Sequence, residues 1–156
     1  MHKDFKDLLS AFNARSVRYM IVGGYAYARY TEPRTTKDLD LFVRPDPGNA
    51  PSVFQAEYGT SLGDTTVADL ADPSTVIQIG VPPFCIDVLF NIDGLTFDQA
   101  WETAEPALVD EIPVRYISCE NLIVNKLAVA PPPDLVDVDK LRHARETRRR
   151  HSAKSH

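Results

Sequence analysis

The chain has 156 residues, 44% of them hydrophobic and 25% charged, the composition of an ordinary globular protein with enough mass for one domain and a real core. No apolar run approaches the roughly 18–20 residues of a membrane span, and the opening Met1-His2-Lys3-Asp4-Phe5-Lys6-Asp7 lacks the apolar stretch of a signal peptide, so the expected setting is the cytoplasm with no membrane partner. The net charge of −5 is unevenly spread: seven Lys/Arg and one acid from Lys140 to His156 carry +6, leaving −11 on the rest, and no Lys or Arg occurs between Arg44 and Arg115.

In chain order, Phe5, Leu8, Leu9 and Phe12 recur at helical spacing and predict an amphipathic first helix over 4–14. Arg18 to Val22 reads as a strand. Gly23-Gly24 breaks it and opens a helix over 25–30, and Glu32-Pro33-Arg34-Thr35-Thr36 is a loop, because a residue before proline is biased away from helix. Lys37 to Val43 is the second strand, and Pro45, Pro47, Gly48 and Pro51 punctuate the loop after it. Ser52 to Tyr58 reads as helical, while Gly59 to Asp72 is ambiguous. The segments 75–80 and 84–90, rich in Val, Ile and Phe, predict an antiparallel hairpin across Val81-Pro82-Pro83. A short helix over 96–103 and strands over 107–110 and 113–117 follow. Ser118 is placed to cap a helix containing Leu122, Ile123, Lys126 and Leu127. Pro131-Pro132-Pro133 ends that helix, Asp134 is placed to cap a last one, and the basic segment 148–156 is expected to fray. Cys85 and Cys119 form no CxxC and read as free buried thiols rather than a disulfide. The sum is an α+β chain with a mixed β-sheet and packed helices: one domain over 1–147 and a disordered basic tail over 148–156.

The chemistry concentrates around Asp38-Leu39-Asp40, two acids at i and i+2 in an apolar run. Side chains of a strand alternate faces, so both acids point to one side. Like charges that close raise each other's pKa, and a hard divalent cation relieves them. The bland alternative is a solvated edge strand, but Leu39, Leu41, Phe42 and Val43 argue for burial. Asp87, inside Phe84-Cys85-Ile86-Asp87-Val88-Leu89-Phe90, is a third acid in an apolar strand and calls for a partner across the sheet. Gly23-Gly24 lets backbone approach a phosphate at a helix N-terminus, although a glycine pair between a strand and a helix is more often just a turn. Arg34 and Thr36 offer phosphate donors or form an ordinary polar loop; Lys126 either contacts a phosphate or snorkels to the surface.

These residues resemble a family. Val22-Gly23-Gly24, then Pro33-Arg34-Thr35-Thr36-Lys37-Asp38-Leu39-Asp40, then Ile86-Asp87-Val88 look like the minimal nucleotidyltransferase pattern of the DNA polymerase beta superfamily, most of all its small bacterial AbiEii-toxin-like members. The resemblance runs to about Leu141, and includes Lys126 in a lysine motif and 133–138 as the closing Asp-rich motif. It implies a nucleotidyltransferase-like fold in which Gly23 and Gly24 hold phosphates. It also implies that Asp38, Asp40 and Asp87 bind two Mg2+ ions (Mn2+ as a substitute) and transfer a nucleoside monophosphate from an NTP to an acceptor hydroxyl. The turn 129–133 carries no basic residue where toxin members have one, so Asp134 and Asp137 read as a helix cap and a solvated face. Expected partners are an NTP, an RNA acceptor such as tRNA along the basic C-terminal segment, and an antitoxin or other protein. The competing readings are a non-catalytic nucleotide-binding or interaction module of a toxin–antitoxin pair and a metal-dependent phosphohydrolase. The second ranks last, because His2, His143, His151 and His156 all lie near the termini.

Overall fold

The computed structural model describes residues 1–32, 38–45, 76–81, 83–129 and 135–154. The expected helix over 52–58, the ambiguous stretch 59–72, the residues Arg34 and Thr36, the proline stop at 131–133 and the Asp134 cap lie outside the described residues.

The described elements are α1 (Lys3–Ala14), β1 (Tyr19–Val22), α2 (Gly23–Tyr30), β2 (Leu39–Val43), β3 (Val76–Val81), β4 (Phe84–Leu89), α3 (Phe97–Glu102), β5 (Glu105–Val109), β6 (Ile112–Tyr116), α4 (Cys119–Ala128) and α5 (Leu135–Lys154). The strands form one six-stranded mixed sheet in the order β3-β4-β2-β1-β6-β5. Neighbours β1/β2, β3/β4 and β5/β6 run antiparallel, while β2/β4 and β1/β6 run parallel. This is the α+β, mixed-sheet architecture expected from the pattern.

The core is built on the central strands. Met20, Ile21, Leu39, Leu41, Phe42 and Val43 are all at most 1% exposed, and the predicted stripe Phe5, Leu8, Leu9 and Phe12 is the buried face of α1. Local chemistry fixes the ends of the shorter elements. Thr96 and Gln99 close α3 with a reciprocal capping box, and the Ser118 hydroxyl accepts from the Asn121 amide to start α4. Asp110 and Glu111 both sit at positive φ and form the two-residue turn between β5 and β6, so β5 ends at Val109, one residue short of the sequence expectation; a turn of this kind matches the twist of the flanking strands.

The C-terminal expectation needs correction. The last helix does not end before Arg148 but continues through Lys154. Arg148 reaches Glu105 of β5 through two contacts of 2.6 and 3.3 Å, and Arg149 reaches Glu120 of α4 at 3.3 Å. Tyr30, the last residue of α2, donates from its hydroxyl to Glu105 at 2.5 Å and to the Ile117 carbonyl at 2.7 Å. Burial opposes the Glu105 charge, but the hydrogen bonds from Arg148 and Tyr30 outweigh it and lower the carboxyl pKa. One carboxylate thus ties α2, β5 and α5 together. Both cysteines are free and buried, and among the described residues no helix is long and apolar enough to cross a membrane.

Leu41→Ala removes a fully buried side chain from the middle of the sheet and is expected to cost about 2–5 kcal/mol, read as a lower denaturant midpoint at unchanged slope; a loss below about 1 kcal/mol would contradict this placement of the core.

Candidate active site

Register places the acids. In the parallel β2/β4 pair Asp40 lies opposite Asp87, in β1/β2 Val22 lies opposite Asp40, and in β3/β4 Gln78 lies opposite Asp87. Val22, Asp40, Asp87 and Gln78 therefore form one row across four strands, on one face of the sheet. Asp40 and Asp87 are each half-buried and lie side by side on neighbouring strands, and the Gln78 side-chain amide donates to Asp87 Oδ1 at 3.2 Å. Asp87 has the cross-sheet partner its sequence context demanded, and that partner is Asp40.

Two carboxyls can share a hydrogen bond only if one carries a proton. The Asp40 carboxyl is pushed up to about 7, first by burial, then by the charges of Asp87 and Asp38 and by the hydrogen bond with Asp87. Asp38 stands one residue before β2 and is exposed; it acts on the pair through its charge. Among the described residues no three His, Cys, Asp or Glu side chains, as they stand, converge closely enough to hold a metal ion, so the expected trio is a tight pair with a third acid nearby. The donor set fits a hard cation all the same: Mg2+ needs only one or two carboxylates beside phosphate oxygens and water, and a pair that retains a proton near neutrality holds a place where a cation can stand instead. Cys85 shares the Asp87 side of β4 by alternation, and burial with the nearby Asp38 and Asp87 charges pushes its thiol up, so it remains protonated.

The glycine pair lies directly beside the acids. Gly23 is at φ +67°, and a Cβ there would stand 2.2 Å from Asp40 Oδ2; only glycine lets the chain turn into α2 and leave that carboxylate in place. Val22 provides no side-chain cap to α2, so its first-turn amides are left for a ligand or water. Lys126 is engaged elsewhere on its helix face. Its ammonium pairs with Asp137 at 3.5 Å and sits 5.3 Å from the Tyr27 ring centre, linking α4, α5 and α2. Asp137 is accordingly partnered and half-buried rather than a solvated face.

Beside Gly23 and Asp40 opens a cleft of about 250 Å3 whose other walls include Asn91, Asp93 and Asn125. Sequence reasoning missed these three. Asn91 and Asp93 follow the end of β4 and Asn125 lies on α4, so no spacing links them. Larger cavities, of about 490 Å3 beside Trp101 and Arg115 and about 640 Å3 between α2 and α5, touch neither acid of the pair.

Because the Asp40 pKa is higher in the folded chain than the ordinary 3.8, the folded state holds that proton more tightly than the unfolded one. The associated stability is complete below about pH 4 and is lost as pH rises through about 7. In metal-free buffer the thermal midpoint of Asp40→Asn should therefore gain on wild type progressively between pH 5 and 8; a difference that does not vary with pH would contradict the shared proton.

No curated protein matches the chain. Residues 1–153 match the family model described as "Nucleotidyl transferase of unknown function (DUF2204)". That match spans the glycine turn, the acidic row and α4 alike, and the chain belongs to this nucleotidyl transferase family.

Proposed function

We propose that the protein is a metal-dependent nucleotidyltransferase that moves a nucleoside monophosphate from an NTP to an acceptor hydroxyl. The observation that carries this reading is the Asp40–Asp87 pair, side by side across β2 and β4, with Asp40 packed on Gly23 at the uncapped start of α2. An acid pair is an unfavourable ornament for a core sheet, whereas next to free helix amides it is half of a phosphate-and-cation site.

Asp40 and Asp87, with Asp38 beside them, would hold Mg2+. A cation held there would supply positive charge to offset that of the triphosphate and of the leaving pyrophosphate. The amides at Gly23 and Gly24 would donate to phosphate oxygens, and the positive end of α2 favours them. In the transfer the acceptor oxygen bonds to the α-phosphorus as the bond to the α,β-bridging oxygen breaks. Asp87 takes the hydroxyl proton and pyrophosphate leaves. Lys126, paired with Asp137 and close to the Tyr27 ring, links α4 and α5 to the helix that begins at the glycine turn.

A second reading, a nucleotide-binding module without transfer, has one observation in its favour: the three acids do not close on a single point without a ligand. The two readings differ in pyrophosphate. Wild type with Mg2+ and the four NTPs is expected to release pyrophosphate, and Asp40→Asn and Asp87→Asn should each lose more than about 100-fold, beyond the 10–100-fold typical of a merely supporting partner, while remaining folded. Nucleotide binding with no release from wild type, across a panel of acceptors that includes RNA, would leave the module reading standing.

A further inference from the structure

We propose that the cleft between Asp40, the Asn91–Asp93 segment and Asn125 is the acceptor subsite, and that it takes an uncharged or cationic hydroxyl-rich small molecule, a sugar or amino sugar, rather than RNA. This deepens the transferase reading above and rests on it.

The cleft is a built surface. Asn125 Nδ2 donates to the Asp93 carbonyl at 3.0 Å. Ile92 and Leu95 form a bridge that closes the turn. Gly94, at φ +87°, lies so close to α4 that a Cβ would meet Ala128 Cβ at 2.8 Å and the Val124 carbonyl at 3.3 Å. The chain leaving β4 is thus docked on α4 and presents its polar groups beside the acid pair. Its bond to Asp93 uses one N–H of the Asn125 amide, which leaves a second N–H and the Oδ1 acceptor for a ligand.

The described lining favours such a ligand. Among the described residues its polar side chains are two carboxylates, Asp40 and Asp93, and two carboxamides, Asn91 and Asn125, with no Lys, Arg or His. The closest cation in sequence, Lys126, is engaged with Asp137. Carboxamides and carboxylates match the mixed donors and acceptors of neighbouring hydroxyls, and Asp93 adds a preference for an amine over an anion. A polyphosphate acceptor needs cations, and the basic face of α5 is largely engaged within the molecule: Lys140 on Glu32, Arg145 and Arg149 on Glu120, Arg148 on Glu105. A sugar hydroxyl seated in the cleft would be the nucleophile of the transfer: its oxygen bonds to the α-phosphorus, its proton goes to the Asp40–Asp87 pair, whose Asp40 lines the cleft, and pyrophosphate departs.

The test is a set of titrations of the full 15N-labelled chain, followed by nuclear magnetic resonance. Glucosamine at millimolar concentration is expected to move the side-chain amide signals of Asn91 and Asn125, glucose 6-phosphate should act at least roughly tenfold more weakly, the scale of one like-charge contact, and Asp93→Lys should reverse that order. Mg2+·ATP should move the Gly23 and Gly24 backbone amides and release pyrophosphate, which together read the transferase proposal separately. If glucose 6-phosphate or total RNA moves the Asn91 and Asn125 amides as strongly as glucosamine, or if neither sugar moves them, the subsite is overturned, while a Gly23/Gly24 response together with pyrophosphate release upholds the transferase. If Mg2+·ATP itself occupies Asn91 and Asn125, the cleft is the nucleoside's and the acceptor assignment fails. If Gly23 and Gly24 do not respond to Mg2+·ATP, the transferase reading fails and the subsite with it.

Discussion

The contact between Asp40 and Asp87 is the constraint around which the rest of the molecule is arranged. It exists because β2 and β4 run parallel in a register that sets the two acids opposite each other; burial and the neighbouring charges push the Asp40 carboxyl up, which lessens their repulsion, and Gln78 donates to Asp87. A sheet selected for stability alone would place Val or Ile at both positions and gain from the burial. Retaining two carboxylates there costs stability near neutral pH, a cost that the proposed cation would offset.

The surrounding structure holds that row still. The glycine at position 23 turns the chain from β1 into α2 without pushing Asp40 aside, so the helix amides and the carboxylates face the same space. At the other end of α2, Tyr30 is anchored through Glu105 to β5 and by Arg148 to α5. The helix that begins at the site is therefore fixed at both ends. The basic C-terminal segment, which by charge alone suggests a nucleic-acid surface, contributes instead to this internal bracing. A half-exposed ion pair contributes little by itself, but a carboxylate receiving from both an arginine and a tyrosine fixes orientation as well as distance.

Much of this was legible in the sequence. The α1 stripe at Phe5, Leu8, Leu9 and Phe12, the strands at β1, β2 and β4, and the Ser118 cap all follow from spacing and capping chemistry, because those are local rules. Asp38, Asp40 and Asp87 stood out because an acid in an apolar strand is expensive. What the sequence could not give is register. That Asp40 meets Asp87 more closely than Asp38, or that Gln78 joins the row, depends on which strands pair and with what offset, a property of the whole sheet. The same holds for Asn91, Asp93 and Asn125, brought together by the docking of a turn on a helix far along the chain. The tail was misread for a related reason: its composition is that of a solvated segment, and only the placement of Glu105 and Glu120 gives its arginines partners.

The central claim is that the Asp40–Asp87 pair exchanges its proton for a cation. Calorimetry of Mg2+·ATP binding at pH 6.5, repeated in buffers of different ionisation enthalpy, tests it most directly by counting protons. The account predicts that wild type releases a substantial fraction of one proton per bound Mg2+·ATP, more than ATP alone loses on binding Mg2+ in the same buffers, and that Asp40→Asn abolishes the excess. Binding by wild type with no proton released beyond that of the nucleotide would contradict it, and would reduce the acid pair to a structural feature of the sheet.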